Sequence, residues 1–589
     1  MTWDDRLYVV HNEAIQGFSW QNIKTVFSSY YVGNYAPVQM VSYMLDYELW
    51  GMKAGGFHFT NIMLHALIGL LVYRLFLRCH SDRLMATIGA AVFLLHPVQV
   101  ESVAWISQRK NLLAMLFFLL AWEGYCRYRE ANEGKGMPAY IASIASFVLA
   151  LLAKSIVVIF PLVILLYDLC YPVKDQRIRL LNKAPYLLAA VIVAVLTIQS
   201  QTPIDDGFGG ATGGGLTGYH GGSPFATFLT MLTVFCRYLW LLVWPVALSA
   251  AYKPTIYNSI GPAVIGSILL LTCVVISAVQ LLKVNRKAGF WPFVFFISLL
   301  PVSQIIPLVT LMNDRYLYFP MLGVSALVGV GASFLCVRLR PWQTVPFYSL
   351  VTILLVLLSV ISFQRAAIWQ NDITFGRDTV AKCPTNYTAW EGLGEAYYFS
   401  VPPHNAEAVQ AYSRALELAP LSKLTLFNLG VLYVEAGEYD KGYELLNKLL
   451  LNYYDHAAGW AYLGDIYLNK RNFKEADISY NKALSLKPDT LHAVLGLANL
   501  AFVQGQFNQA RVFYYRAELI SENDPLIAYS LAITEAQAGH SNAALLWVEK
   551  ALQRGFNDYN DLLENKLLTV IRKDPRFNFL MQQCIPPHK

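Results

Sequence analysis

The chain has 589 residues, of which 56% are hydrophobic and only 14% are charged. Soluble domains are about 25% charged, so this composition excludes a wholly soluble protein. The formal net charge of +6 comes without a basic tract, which argues against nucleic acid as a partner. The eight cysteines show no CxxC or Cys/His spacing, which argues against a disulfide framework and a zinc site.

The first 56 residues are polar and aromatic, no signal peptide is expected before them, and ten apolar segments follow. Several are short for a hydrocarbon core of about 30 Å, so neighbouring helices must shield their ends. A further apolar segment, 225–251, is interrupted at Trp244-Pro245 and is predicted to be a re-entrant element. The ten predicted spans are residues 57–79, 84–96, 111–126, 139–153, 155–171, 185–200, 262–283, 290–308, 316–337 and 343–363.

Lysine and arginine cluster in alternate connections between the predicted spans, which the positive-inside rule places in the cytoplasm. With a re-entrant 225–251, residues 1–56, 96–110, Lys154, the Gly-rich loop 207–222 and everything after Phe363 lie outside. That side is the periplasm of a bacterium or the lumen of the endoplasmic reticulum. If 225–251 is instead a complete span, the part after Phe363 faces the cytoplasm. The basic clusters are Arg74, Arg78 and Arg83; Arg127, Arg129 and Lys135; Lys174, Arg177, Arg179 and Lys183; Lys283, Arg286 and Lys287; and Arg338 and Arg340.

After Phe363 the sequence repeats about every 34 residues. Small residues recur at Gly394, Gly430, Gly464, Ala498 and Ala532, with separations of 36, 34, 34 and 34 residues. The pattern is typical of the tetratricopeptide repeat, and it predicts helical hairpins over 389–556, after a linker at 364–388 and before a cap at 557–589. The predicted fold is therefore all-α, with a multispanning helical domain at 57–363 and a C-terminal α-solenoid. The third unit carries the complete pattern: Trp460, Leu463, Gly464, Tyr467, Ala476, Tyr480, Ala483 and Pro488.

Charged residues beside apolar spans are costly, so those on the predicted outer side are functional candidates. The acid pair Asp4-Asp5 is one candidate, although two adjacent acids taken alone are far more often part of a solvated N-terminal tail. Glu101 and Arg109 would share a helical face with Trp105 at membrane depth. The alternative for this segment is an interfacial helix anchored by its tryptophan, in which Glu101 pairs with Arg109.

Two further basic residues mark the outer side. Lys154 interrupts two apolar spans, where it could bind a lipid phosphate or extend to the headgroups. Arg315 offers a planar guanidinium suited to phosphate, and its alternative is a salt bridge with the neighbouring Asp314.

In their order and spacing, these motifs resemble the transmembrane-and-tetratricopeptide O-mannosyltransferases and their bacterial relatives, over nearly the whole chain. The resemblance implies a GT-C glycosyltransferase fold, a polyprenyl-phosphate sugar as donor substrate, and chemistry on the non-cytoplasmic face. The matching motifs are Asp4-Asp5; 37–45 followed by Phe57-His58, Asn61 and His65; His96-Pro97 with Glu101 and Arg109; Ala153-Lys154; and 314–318 with Pro320.

Carried over by position, the resemblance implies that Asp5 or Asp4 is the base that takes the proton of the acceptor hydroxyl in an inverting transfer. Lys154, Arg109 and Arg315 would hold the donor phosphate. No metal ligand set is evident, although acids are available for a divalent cation. The residues expected to support the site are His96, Glu101, Asp314 and His65.

The chain departs from the family pattern in two places. Ser155 follows Lys154 where the family usually has an acid, and the chain starts three residues before Asp4 where the family has a span. Either a span lies upstream of Met1 or the N-terminus is exported without one, and we expect the upstream span. Carboxylates at the start of the first outer segment need support on both sides, and an upstream span would supply it.

Two other classes of protein remain open at this stage. One is a membrane scaffold without catalysis, which recruits partners through its repeats. The other is a polysaccharide polymerase or ligase, a class that relies on a large outer loop rich in arginine. The largest loop here, 201–224, contains no arginine. In a transferase, the repeats would instead handle an acceptor polypeptide or glycan.

Overall fold

The computed structural model describes residues 4–132, 135–172, 180–200 and 218–584. Within these ranges the chain forms α-helices, short 3-10 turns and a π-helical turn at Arg6–Val10, and it contains no β-strand, which confirms the all-α prediction. The helices form two compact units, Met1–Ala396 and Tyr397–Lys589. Most of the predicted Gly-rich loop lies outside the described residues, as do Lys174, Arg177 and Arg179.

Residues 4–53 contain two α-helices, α1 (Trp20–Ser28) and α2 (Pro37–Trp50). Helix α1 begins where the Ser19 side chain accepts a hydrogen bond from the backbone N–H of Asn22 at 3.0 Å. Pro37 opens α2, a position where its missing N–H costs nothing. Apolar side chains of this segment close a small core of their own with two residues of the helices that follow. The members of that core are Tyr8, Val9, Ile15, Val26, Met40, Tyr43, Met44, Phe57 and Ile106.

Twelve more helices complete the part that precedes the repeats. They are α3 (Ala54–His80), α4 (Arg83–Leu95), α5 (Val100–Ala104), α6 (Arg109–Glu130), α7 (Met137–Ala153), α8 (Phe160–Cys170), α9 (Ala184–Ser200), α10 (Pro224–Val243), α11 (Pro262–Val284), α12 (Arg286–Leu299), α13 (Met321–Cys336) and α14 (Pro341–Ala367).

Five helical segments of the described chain are long and apolar enough to cross a membrane. A sixth is possible if α4 and the segment Pro97–Ala104, which bends away from it by 52°, form one span. Helices α7 and α13 and the segment Ser155–Cys170 are apolar but shorter, so the count of ten spans stays a prediction. The five segments are Ala54–His80, Leu180–Ser200, Pro224–Val243, Pro262–Val284 and Pro341–Gln370.

The helices bring the predicted cytoplasmic connections together at one end of this bundle. The indole of Trp291 donates to His80 Nε2 at 2.9 Å, and the Tyr171 hydroxyl donates to the Lys287 carbonyl at 3.1 Å. These bonds join the end of α3, the end of α8 and the start of α12, where the basic clusters lie. The acid pair, Lys154 and Arg315 belong to connections at the opposite end.

Helix α10 is a single 20-residue helix that ends just before Trp244-Pro245. His220, just before its start, donates to the Leu308 carbonyl at 2.8 Å, in the same connection that carries Arg315. Leu242, in its last turn, accepts a hydrogen bond from His96 at 3.1 Å. Both ends of α10 therefore contact the end of the bundle that carries the acid pair.

The remaining helices follow the predicted repeat. Tyr480 shows why a small residue is needed at Gly464, because its ring lies against this glycine and against Gly496 of the next repeat. A Cβ atom would lie 2.5 Å from this ring at Gly464 and 2.2 Å from it at Gly496. The predicted linker, 364–388, contains the end of α14 and a further helix. The helices are α15 (Asp372–Lys382), α16 (Tyr387–Tyr398), α17 (Asn405–Leu418), α18 (Lys423–Glu435), α19 (Tyr439–Asn452), α20 (Ala457–Asn469), α21 (Phe473–Leu486), α22 (Leu491–Val503), α23 (Phe507–Ile520), α24 (Pro525–Gln537), α25 (Ser541–Gln553), α26 (Tyr559–Glu564), α27 (Thr569–Arg572) and α28 (Pro575–Cys584).

Candidate active site

Asp5 is buried and anchors the N-terminal segment to the turn before α6. Its Oδ1 accepts hydrogen bonds from both the backbone N–H, at 2.8 Å, and the hydroxyl of Ser107. Its exposed fraction is 0%. Arg6, the next residue, pairs with Asp372 of α15 at 2.8 Å. These contacts fix the acid pair from two sides.

Asp4 has a different environment, because it faces positive charge. Burial raises the pKa of the Asp4 carboxyl above its ordinary value, and the nearby charges of Lys110 and Arg315 partly offset this rise. A carboxylate with a raised pKa is a better proton acceptor once it is ionised. Asp4 therefore has the properties expected of a general base, while Asp5 is held as an anchor.

Two lysines near the charge of Arg315 form no ion pair with any described residue, and one of them, Lys110, is also near Asp4. Lys110 Nζ lies 3.4 Å from the Tyr8 hydroxyl and 5.1 Å from the centre of its ring. Lys154 Nζ donates to Asn111 Oδ1 at 2.6 Å. Burial, and then repulsion by Lys110 and Arg315, lower the pKa of Lys154 well below its ordinary value. With Arg315, these lysines form a group that we call the cationic cluster.

Arg315 is the member of the cationic cluster that has an ionic partner. Its guanidinium pairs with Glu101 at 2.6 Å, and its backbone N–H donates to the other oxygen of Glu101 at 2.8 Å. The guanidinium also lies 5.3 Å from the centre of the Trp105 ring. The alternative pairings of Glu101 with Arg109 and of Arg315 with Asp314 are therefore wrong. Glu101 instead fixes the position of Arg315 through these two contacts.

Arg109 is directed into the helix core. It pairs with Asp46 of α2 at 2.5 Å, and it donates to Asn61 Oδ1 at 2.7 Å and to the Phe57 carbonyl at 2.9 Å. Its exposed fraction is 0%. All three partners belong to α2 and α3, so this arginine holds those helices to the start of α6.

The residues predicted to support the site bind protein groups around it. His65 contacts the Tyr318 hydroxyl at 2.9 Å, and His96 joins its own turn to α10. Asp314 accepts a hydrogen bond from the Tyr252 hydroxyl at 2.5 Å, and Arg365 of α14 lies 3.6 Å from it. These contacts hold the connection that presents Arg315.

Three residues of the site are not predicted from the sequence: Lys110, Asn111 and Ser107. The first two begin the apolar stretch of α6, so the rule that selected Lys154 could have selected Lys110 as well. Ser107 carries no such signal, because its role depends on contact with Asp5. The described residues contain no group of three or more His, Cys, Asp or Glu side chains that could hold a metal ion.

Known proteins are similar in sequence to both the membrane part and the repeat part of the chain. Models of the tetratricopeptide repeat family match residues 404–450 and 457–490. The human protein O-mannosyl-transferase TMTC1 is 26% identical over 69% of this chain and 50% of its own length. Human TMTC3 is 21% identical over 87% of this chain and 60% of its own length. A Caenorhabditis elegans protein O-mannosyl-transferase, F38B6.6, is 24% identical over 71% of this chain and 60% of its own.

Among solved structures, a tetratricopeptide repeat protein from Parabacteroides merdae covers 36% of this chain and 87% of its own, with 20% identity and a TM-score of 0.31. The chain spans between 50% and 60% of the length of the three curated relatives described above. The matches to these relatives cover most of this chain, and the repeats are matched by their own family models. Over most of its length the chain is therefore similar to the protein O-mannosyl-transferases TMTC1, TMTC3 and F38B6.6.

Proposed function

We propose that this protein transfers a mannosyl group from a polyprenyl-phosphate donor to a hydroxyl group of a protein, on the non-cytoplasmic face of a membrane. The observation that carries the proposal is the cationic cluster. It places two lysines that have no ion pair with a described residue beside Arg315 and a carboxylate of raised pKa. The names of the relatives supply the class of reaction and the sugar.

The cationic cluster suits the phosphate of a lipid-linked donor. Burying an ammonium group without a counter-ion is costly, so a site that gathers Lys110, Lys154 and Arg315 is stabilised by an anion. Arg315 offers a planar fork for two phosphate oxygens, and Glu101 keeps it in place. Arg109 is already paired with Asp46, and we assign it a structural role instead.

Asp4 is the base in the mechanism that we propose. The acceptor oxygen attacks the anomeric carbon of the sugar while its proton passes to the Asp4 carboxylate. The bond between that carbon and the phosphate oxygen breaks at the same time, and the phosphate leaves with the electron pair. Lys110, Lys154 and Arg315 stabilise the charge that develops on the phosphate, so its protonation is not required. A single displacement inverts the anomeric centre.

The placement of the site on the non-cytoplasmic face rests on the two ends of the bundle. The basic clusters meet at the end formed by His80, Tyr171 and Lys287, as the positive-inside rule requires of a cytoplasmic surface. The cationic cluster belongs to the opposite end. Trp20 of α1 is 78% exposed and Trp50, next to the start of α3, is 37% exposed, as expected for aromatic side chains at a membrane interface.

The purified protein in lipid nanodiscs tests the proposed reaction. With polyprenyl-phosphate mannose and a serine- and threonine-rich peptide, we expect mannosylated peptide, measured by mass spectrometry. GDP-mannose offered as the donor should give none, since it lacks the lipid that brings the phosphate to the membrane surface. Transfer from GDP-mannose, or none from either donor to any peptide, would contradict the proposal and favour a scaffold.

Donor binding is expected to take up a proton. The phosphodiester of the donor has one negative charge that does not titrate near neutral pH. When this charge lies beside Lys154, it raises the lowered pKa of that ammonium group. At pH values between the pKa of the free site and that of the occupied site, Lys154 is neutral before binding and protonated after it.

Titration calorimetry in two buffers of different ionisation enthalpy measures this uptake. The number of protons should fall toward zero at low pH, where Lys154 is already charged in the free protein. A Lys154→Met variant, tested at a donor concentration high enough to bind, should take up fewer protons than the wild type. Equal proton uptake by the variant and the wild type would contradict the role assigned to Lys154.

A further inference from the structure

The first helices of consecutive repeats present two carboxylates whose positions are fixed by other side chains. Glu435, at the end of α18, accepts hydrogen bonds from the Tyr398 hydroxyl, which lies 2.9 Å from each of its oxygens. Asp465 of α20 accepts one from the Tyr480 hydroxyl at 2.7 Å and lies 2.5 Å from His492 Nε2. Neither acid forms an ion pair with a described lysine or arginine. Hydrogen bonds thus fix the orientation of both carboxylates, and no described lysine or arginine neutralises their charge.

Aromatic rings lie between these two carboxylates. The Tyr462 ring stacks on His492 with the ring centres 4.2 Å apart, and it meets Phe427 edge to face at 5.7 Å. Burial, and then the negative charges of Glu435 and Asp465, raise the pKa of the Tyr462 hydroxyl to about 12. Tyr462 thus stacks on the histidine that contacts Asp465.

Six residues form one surface, because α18 packs beside α20, α20 packs beside α22, and the Tyr398 hydroxyl of α16 donates to Glu435 of α18. We call it the acidic-aromatic face; it consists of Tyr398, Phe427, Glu435, Tyr462, Asp465 and His492. Its residues are partly exposed, and the side chain of Asp465 is 22% exposed. Charge-bearing oxygens and aromatic ring faces are thus available on the same surface.

We propose that the acidic-aromatic face binds a cationic side chain, of lysine or arginine, in an extended polypeptide. Carboxylates supply charge-assisted hydrogen bonds to an ammonium or guanidinium group, and aromatic faces attract the same cation. An acidic peptide would be repelled by the same two charges. The side-by-side first helices of a repeat stack offer the surface along which such a chain binds. This binding is independent of the proposed mannosyl transfer.

Fluorescence anisotropy of the full-length protein in nanodiscs tests the proposal directly. The probe is a capped, fluorescein-labelled peptide of serine and glycine with one central lysine. Matched peptides carry norleucine, arginine or glutamate at that position. We expect the lysine and arginine peptides to bind at least about tenfold more tightly than the norleucine peptide, the effect of one hydrogen bond to a charged group. The glutamate peptide should bind most weakly.

Variants locate the interaction on the face. Glu435→Gln with Asp465→Asn should weaken lysine-peptide binding by at least about tenfold, while thermal unfolding stays close to the wild type. Asp440→Asn is the matched control, because Asp440 is a 95% exposed acid on α19. Equal affinity for the lysine and norleucine peptides would overturn the proposal, as would no binding of the lysine peptide. An effect of Asp440→Asn as large as that of the double variant would also overturn it.

Discussion

Replacing Asp4 with Asn is expected to lower the rate of mannosyl transfer by about a hundredfold to ten-thousandfold, the range that a general base contributes. Asn has the size of Asp but cannot take the acceptor proton. Because Asp4 makes no ion pair with a described residue, the fold and the affinity for the donor should change little. The initial rate of peptide mannosylation and the thermal unfolding of the same sample measure both quantities.

The Asp5→Asn variant is the matched control, since both acids lie in the same segment. Asp5 accepts two hydrogen bonds from Ser107, so its loss should lower thermal stability and activity together. Ser107→Ala should reproduce part of that effect. If Asp5→Asn abolishes transfer in a fully folded protein while Asp4→Asn stays active, Asp5 is the base and our assignment is wrong.

The sequence predicts secondary structure well in the repeats, where the same local spacing of small residues recurs. The spacing from Gly464 to Ala498 reflects a contact that every repeat must make, since a small residue is required where helices touch. Helices α1 and α2 carry no such signal. They are short, and the core that holds them depends on Phe57 and Ile106 from elsewhere in the chain. Residues 1–56 therefore read as a loop until tertiary contacts are known.

In the candidate site, too, some features can be predicted from the sequence and others cannot. Lys154 and Arg315 are predictable, because a charge beside an apolar span is costly wherever it pairs. Asp4 is singled out by the family resemblance instead. The partners of the site residues are not predictable, because Arg315 and Glu101 are separated by 214 residues and Asp5 and Ser107 by 102. Proximity along the chain suggested that Glu101 pairs with Arg109 and Arg315 with Asp314. Both pairings are replaced by contacts between distant segments.

Arg109 and Lys154 are both predicted from the sequence to hold the donor phosphate. From the structure, we expect substitutions of the two residues to have opposite effects on stability. Arg109→Gln leaves Asp46 buried without its partner, so it should lower the free energy of unfolding by about 3–5 kcal/mol. Because Lys154 pairs with no described carboxylate, Lys154→Met removes a costly buried polar group instead. It should leave thermal stability unchanged or raise it when no donor is present.

The change in unfolding temperature on adding the donor then shows which of the two residues binds it and which only supports the fold. A ligand that binds only the folded state stabilises it by an amount that depends on its affinity. Wild-type protein should therefore unfold at a higher temperature with polyprenyl-phosphate mannose, and Lys154→Met should lose most of this shift. Folded Arg109→Gln protein should keep the shift, because its guanidinium does not face the donor. Lys24→Met, at an exposed lysine of α1, should match the wild type. Our assignment is wrong if the donor raises the unfolding temperature of Lys154→Met as much as that of the wild type, or if it no longer raises that of Arg109→Gln. Either result would indicate that Arg109 binds the donor phosphate.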